Sequence, residues 1–344
     1  MRVLICTSKS PFLSGGNEVL VGALRRELAR RGVEVEVVSL PFVWYRRSEI
    51  LPGYLAWRMV SLDRIGGQKV DRIIATRVPS FVVSHQNKVT WLVHQLRTVY
   101  DLRGTEFSPF DHGPSDQQLM ETIQSIDTKT LSESKRLFSI SDNVGQRLFK
   151  YNGLRAGTLY PPPKHDGRYY TEGYGDYVLV VSRLNRLKRV DQIVRAMPYS
   201  ASGVKLYVVG RGPEGENLER LVERKGVVGK VRFLGFVSDQ ELLRLYAGAL
   251  AVFYAPYDED YGFVTIEAFR SRKPMLSTSD AGGVLELIAD GQNGYVLPPH
   301  QPQVLAAHID RLYGDRALCR RMGEAGYESV SAITWERTVE RLLS

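Results

Sequence analysis

The 344-residue sequence predicts an α/β chain made of two doubly wound parallel sheets, and three observations carry that prediction. Short apolar runs alternate with helical patterns along most of the chain, the signature of βαβ units. The alternation halts at a proline-rich segment and then starts afresh. The length matches about two domains of roughly 150 residues each.

In the first half, RVLIC (2–6), VEVEVVS (33–39), DRIIAT (71–76) and VTWLV (89–93) read as strands. EVLVGALRRELARRG (18–32) reads as a helix ended by Gly32. LYPPPKH (159–165) follows, and its three prolines forbid helix and favour an extended linker. Beyond it, DYVLVVS, KLYVVG, VRFLGF, LAVFYA and PMLST are strands, separated by the helical VDQIVRAM, ENLERLVERKG, DQELLRLYAGA and VTIEAFRSR. The expected domains are 1–160 and 161–330, with 331–344 a terminal helix that crosses back to the first. Ligands of such sheets bind at the carboxyl ends of the strands, so strand-following loops are the places to search. Two such units facing each other are expected to form a cleft.

Composition narrows the function. With 43% hydrophobic and 24% charged residues the chain is an ordinary globular protein. The apolar run at the start is five residues long, and no segment approaches the roughly 18 apolar residues of a membrane span. A cytoplasmic protein is therefore expected. Cys6 and Cys319 form neither a disulfide framework nor a metal spacing. Of the net +8, residues 1–160 supply +7 (22 Lys+Arg, 15 Asp+Glu) and residues 161–344 supply +1 (24 against 23). A basic first half attracts polyanions or anionic lipid, but no helix-turn-helix, zinc-finger or stacked-aromatic pattern points to nucleic acid.

The motifs that carry chemistry lie in the strand-end loops. GRGPEG (210–215) fits the dinucleotide fingerprint, yet no acid closes the next strand to hold a ribose, which weakens a nicotinamide reading. SRLNRLKRVD places Arg183 and Lys188 just before a helix start, a pairing suited to a diphosphate. In SGGNE, Gly15 and Gly16 permit positive φ and close backbone approach to an anion. His94 follows directly on a strand, while the histidines at 85, 112, 165, 300 and 308 show no metal spacing. No serine-hydrolase elbow or phosphate-binding P-loop is present. YDEDYGFVTIEAF poses a choice: Asp258-Glu259-Asp260 looks like a metal-binding triplet, whereas Glu259 and Glu267 flank a Gly262 bend and a helix start, both able to face one ligand. The two-unit architecture and the separate Arg183/Lys188 site favour the glutamate pair and no metal.

Together with WLVHQL, FLGFVSDQEL, KPMLSTSDAGGVLELI, NGYVLPP and TWERTVERLL, these stretches resemble the retaining glycosyltransferases of family 4 over nearly the whole chain. That resemblance implies the GT-B architecture, two Rossmann-like domains across a cleft. It implies Arg183 and Lys188 as the cations on the leaving diphosphate. Glu267 falls at the nucleotide ribose, Glu259 near the donor sugar and His94 beside the anomeric centre. Gly15, Gly16, Gly262, Phe263, Val264 and Thr265 would approach phosphate and sugar, and Phe236 and Val237 would hold the base. Ser182, Arg189 and Tyr261 stand where the family often has glycine, glycine and phenylalanine.

The expected reaction is transfer of a sugar from a nucleotide sugar to an acceptor hydroxyl with retained configuration, no metal and no cofactor. A UDP-sugar leads among donors, with GDP- and ADP-sugars as alternatives. Saccharide, lipid-linked and small-molecule acceptors all fit. The competing readings are a nucleotide-sugar epimerase or phosphorylase of the same fold, and a non-catalytic module docking on polyanions or membrane. Leu40–Val60 interleaves aromatics with Arg46, Arg47 and Arg58 and could seat peripherally at the inner face of a membrane; the simpler reading is that Trp44 and Trp57 pack inside.

Overall fold

The computed structural model describes residues 1–10, 15–108 and 113–344. Ser14 of the glycine loop and His112 lie outside the described residues. The chain forms two compact units, Met1–Lys164 with Ile333–Ser344, and His165–Ala332.

The first unit contains β1 (Arg2–Lys9), α1 (Gly16–Arg30), β2 (Glu34–Pro41), α2 (Arg47–Met59), the short β3 (Arg64–Ile65) and β4 (Gln68–Lys69), β5 (Arg72–Ala75), β6 (Lys88–Leu92), α3 (Pro114–Ser132), β7 (Arg136–Ser139), α4 (Asp142–Asn152) and β8 (Gly157–Thr158). Its six-stranded sheet runs β2-β1-β5-β6-β7-β8, with every pairing parallel. Parallel strands covered on both faces need continuous apolar runs, and Val3 to Cys6 and Val89 to Leu92 are buried throughout. α1 buries Leu20, Val21, Leu24 and Leu28 at helical spacing, and Gly32 at φ +74° follows its end.

α2 was not legible as a helix, because Pro52 interrupts it and aromatic residues blur its periodicity. It forms because Ile50, Tyr54 and Trp57 bury along one face, outweighing the one intrahelical bond that Pro52 removes. Of the two tryptophans expected to pack, Trp57 is buried and Trp44 is 37% exposed.

The second unit runs β9 (Tyr177–Val181), α5 (Asp191–Ala196), β10 (Lys205–Val209), α6 (Gly215–Arg224), β11 (Val231–Gly235), α7 (Asp239–Gly248), β12 (Ala251–Phe253), α8 (Phe263–Arg270), β13 (Met275–Thr278), β14 (Gly294–Leu297), α9 (Pro302–Gly314) and α10 (Arg316–Ser329). Its parallel sheet has the order β11-β10-β9-β12-β13-β14. Val178, Val180, Leu206, Val208, Phe253 and Leu276 from four neighbouring strands belong to one core with Ile193, Val194 and Ile309 from the covering helices. The last helix, α11 (Trp335–Leu343), belongs to the first unit: Arg72 donates to Leu342 O at 2.8 Å, and Arg31 pairs with Glu336 at 3.1 Å.

Candidate functional site

In the second sheet the chain leaves β9 toward β10 on one side and returns to β12 on the other. The order therefore reverses between β9 and β12, and a doubly wound sheet opens a crevice at the carboxyl ends of such a pair. The loops after these two strands carry Arg183 and Lys188 on one side, Tyr254 to Gly262 on the other.

The loop after β9 is shaped by its neighbours. Asn185 Oδ1 accepts the Lys188 N–H at 3.1 Å, capping a single turn over Arg186–Lys188 that Arg189 ends in the left-handed region at φ +47°. Leu184 is pinned by the 210–215 loop: its N–H donates to Arg211 O at 3.1 Å and its carbonyl accepts from Glu214 at 2.9 Å. A Cβ on Gly210 would fall 1.8 Å from Ser182 O, and one on Gly212 would fall 2.2 Å from Leu184 O. The glycines of the apparent fingerprint thus let two loops of the protein lie backbone to backbone.

On the facing side, the 258–260 segment is laid against the loop after β13. Asp258 N–H donates to Asp280 O at 2.9 Å, Glu259 N–H to Ala281 O at 3.0 Å, and Gly283 N–H to Glu259 O at 2.8 Å. Side chains at Gly282 or Gly283 would block this: their Cβ atoms would lie 2.6 Å from Asp258 Oδ1 and 2.4 Å from Asp260 O. Gly262, at φ +81°, then caps the start of α8.

These loops bring Lys188 and Glu259 together. The Lys188 ammonium donates to Glu259 Oε2 and, at 3.0 Å, to the Tyr254 hydroxyl. Burial opposes its charge, but the Glu259 carboxylate and the Tyr254 oxygen outweigh burial and hold the pKa above the usual lysine value. Burial, followed by Glu259, pushes the Tyr254 hydroxyl up as well, so it stays protonated. The Arg183 side chain is exposed at the same sheet edge.

The other expected residues are distributed as follows. Glu267 lies in α8 and accepts from the buried Tyr246 hydroxyl at 2.7 Å. Phe263 and Val264 open α8, and Thr265 is buried with its Oγ1 lacking a hydrogen-bond partner among the described residues. Phe236, just past β11, is 82% exposed, and Val237 is half-buried. In the first unit, Gly15 and Gly16 follow β1 and open α1, but neither has positive φ. Gly15 is extended at φ −155°, and its N–H is engaged by the Glu18 carboxylate at 2.8 Å. The freedom expected of the pair is thus unused, and an anion at Gly15 must compete with Glu18. His94 follows β6 with Nδ1 2.8 Å from Gln95 O. Among the described residues no three His, Cys, Asp or Glu side chains are grouped to hold a metal ion.

The comparisons with known proteins decide the family. An uncharacterized glycosyltransferase of Methanocaldococcus jannaschii is 35% identical over 89% of this chain and 87% of its own length. The family model for glycosyl transferases group 1 matches residues 171–329. The chain belongs to the group 1 glycosyltransferases. A D-inositol 3-phosphate glycosyltransferase of Nocardia farcinica is 26% identical over 96% of this chain and 84% of its own. Among solved structures, Anabaena HepE in complex with UDP-glucose has the same fold, with a TM-score of 0.75 at 16% identity over 100% of this chain and 98% of that one. The GT-B fold and glycosyltransferase activity inferred from the motifs are both supported by these matches.

Four residues of the site escaped sequence reasoning: Tyr254, Tyr246, Arg189 and Asp280. Tyr254 closes a predicted strand, and its place at a carboxyl end was a usable signal. The sequence marks Arg189 only as a departure from glycine. Its guanidinium is buried and donates to Asp280 through both Nη1 (2.6 Å) and Nη2 (2.7 Å).

Proposed function

We propose that this glycosyltransferase moves a sugar from a nucleotide diphosphate sugar to an acceptor hydroxyl, with retained configuration and without a metal ion. The observation that carries the reading is the Lys188 ammonium, kept charged between Glu259 and Tyr254 at the switch point of the second sheet. As the glycosidic bond breaks, negative charge grows on the diphosphate, and a preorganised ammonium there, with the exposed Arg183 guanidinium, stabilises it. The α8 amino terminus at Phe263 and Val264 adds a favourable dipole. The phosphate so held takes the acceptor proton on the same face, and Glu259, released from Lys188, accepts hydroxyl hydrogen bonds from the donor sugar. Glu267 holds the ribose, and Phe236 and Val237 support the base. HepE was solved with UDP-glucose, and this supports a UDP-sugar as the leading donor. The acceptor is a hydroxyl of a saccharide, a lipid-linked molecule or a small molecule.

A donor screen with uridine, guanosine and adenosine diphosphate sugars, run in excess EDTA and read by mass spectrometry and anomeric NMR coupling, tests this. Transfer in EDTA with an unchanged anomer is expected. Loss of activity restored by a divalent ion defeats metal independence, an inverted product defeats retention, and epimer formation without acceptor defeats transfer.

The first unit supports peripheral contact with an anionic membrane as the finer reading of its partners. On α2, Leu51 (37% exposed), Leu55 (59%) and Met59 (76%) recur every four residues as an apolar stripe. Leu51 and Leu55 border a cavity of about 610 Å³ with Ile126 and Lys129 from α3. The stripe and the +7 of residues 1–160 suit an anionic bilayer. Sedimentation with phosphatidylglycerol vesicles but not with phosphatidylcholine vesicles, abolished by L55E, is the expected result. Equal pelleting of wild type and L55E removes the membrane from the proposal.

A further inference from the structure

We propose that Arg189, with Asp280, is a positioning pair that sets the Lys188 ammonium for the leaving diphosphate. The inference rests on the role given to Lys188 above and adds a pair that acts only through it.

Arg189 ties several loops together. Nε donates to Ala255 O at 2.9 Å and Nη2 to Pro256 O at 2.6 Å, both carbonyls at the end of β12. Nη2 also donates to Thr278 Oγ1 at 3.0 Å, and the fork closes on the two Asp280 oxygens. One guanidinium thus joins three strand-end loops: its own after β9, that after β12, and that after β13. The same three loops are the frame of the lysine site. Lys188 is the preceding residue. Glu259 lies three residues beyond Pro256, and its backbone is bonded to Ala281, next to Asp280. Tyr257 N–H donates to Leu187 O at 2.8 Å, closing the frame on the residue before Lys188.

Chemistry favours arginine here. A planar fork satisfies a carboxylate bidentately while its remaining N–H groups reach carbonyls, a set that a lysine ammonium cannot reproduce. The conformation makes the choice notable. Arg189 is one of four non-glycine residues with positive φ among the described residues, and its φ of +47° is where glycine is unstrained. Arginine holds a conformation that glycine would adopt more easily, so the side chain is what the position supplies. The pair also lies behind Lys188 rather than over it, since Arg189 is buried while Lys188 reaches Tyr254 and Glu259.

The test is a double-mutant cycle in the full chain. R189G leaves the backbone unstrained and removes the fork. It is expected to lower kcat by roughly ten- to a hundredfold, the scale of a small misplacement of a catalytic group, with donor KM within about threefold. In a K188A background the same substitution should change kcat by less than about threefold, because its effect passes through Lys188. Equal losses in both backgrounds, or no loss in either, overturn the proposal. Full activity of K188A alone would instead overturn the reading of Lys188, so the two failures are distinguishable.

A second readout needs no activity and covers a K188A variant too slow to assay. Acetic anhydride labelling of Lys188, followed by mass spectrometry at pH 9, should be several-fold faster in R189G and in the milder D280N than in the folded wild type. R189K should restore part of the protection. Unchanged labelling in both variants, with circular dichroism showing them folded, defeats the pair.

Discussion

Lys188 and Lys273 sit at opposite edges of the same sheet, the first in the loop after β9, the second two residues before β13 begins, and both are withdrawn from water. Lys273 is held by neutral oxygens, donating to Thr171 Oγ1 at 2.8 Å and to Gly173 O. Burial outweighs the opposing pull of Cys319 and Glu172, neither of which accepts its hydrogen bonds, and brings its pKa down to about 7. Lys188 is held by Glu259 as well as by Tyr254, and its pKa rises despite burial. A lysine that only has to tie loops together can be kept by carbonyls at the expense of its charge. In the proposed role of Lys188 at a diphosphate, the Glu259 carboxylate keeps the ammonium charged until the ligand arrives.

The largest effect is expected at Lys188 itself. K188A should lower kcat of sugar transfer by about 10²–10³-fold, the size associated with one preorganised donor at a developing charge, while K273M should leave kcat within about twofold. Steady-state kinetics on both variants with the screened donor decides whether charge at the carboxyl edge is the functional one.

E259Q comes next. It removes the carboxylate that raises Lys188 and leaves burial, which lowers it, opposed by Tyr254 alone. The ammonium should then be lost as pH rises, at lower pH than in the wild type, so kcat acquires an early alkaline limb. A fall of roughly ten- to a hundredfold is expected at pH 8, and a pH profile parallel to the wild type would refute the coupling.

E267Q is expected to act on binding instead. Losing one charged hydrogen bond to a ribose should raise donor KM by roughly tenfold, with kcat little changed. A change in kcat alone would move Glu267 from the ribose to the reacting centre.

The smallest effect is expected at Lys273. Lys273 has a folded pKa of about 7 against 10.5 for an ordinary lysine, so between those values the unfolded chain binds more protons, and stability rises with pH. K273M removes that contribution. The difference in Tm between pH 7 and pH 9 should shrink by about a few degrees, measured by circular dichroism with activity as control.

Legibility followed the same division. Lys188, Glu259 and Glu267 could be read because short motifs carry them and each lies where a strand gives way to a helix. Tyr254 offers only its place at a strand's carboxyl end, and Asp280 offers nothing, since its role arises from loops that are distant in sequence and meet only across the sheet edge. Arg189 is the clearest case: nothing local to it announces positive φ or a partner 91 positions away. Strands β1, β2, β5, β6 and β9 to β13 are readable from apolar runs, whereas β7, β8 and β14 are too short or too mixed to show one. α2 is not readable either, because Pro52 and the mixture of Trp, Tyr and Arg hide a pattern that only burial of Ile50, Tyr54 and Trp57 reveals.

The return of α11 to the first unit bears on how the chain is made. The second unit is one continuous stretch, His165–Ala332, whereas the first draws on residues from both sides of it. A growing polypeptide therefore completes every strand and helix of the second unit before the first can be closed. At about 5–20 residues per second, Arg72 waits tens of seconds after its own synthesis for Leu342 to be made. Through that interval the basic, partly apolar first unit is unfinished, so the order of synthesis makes it the part of the chain that nascent-chain chaperones have most reason to cover.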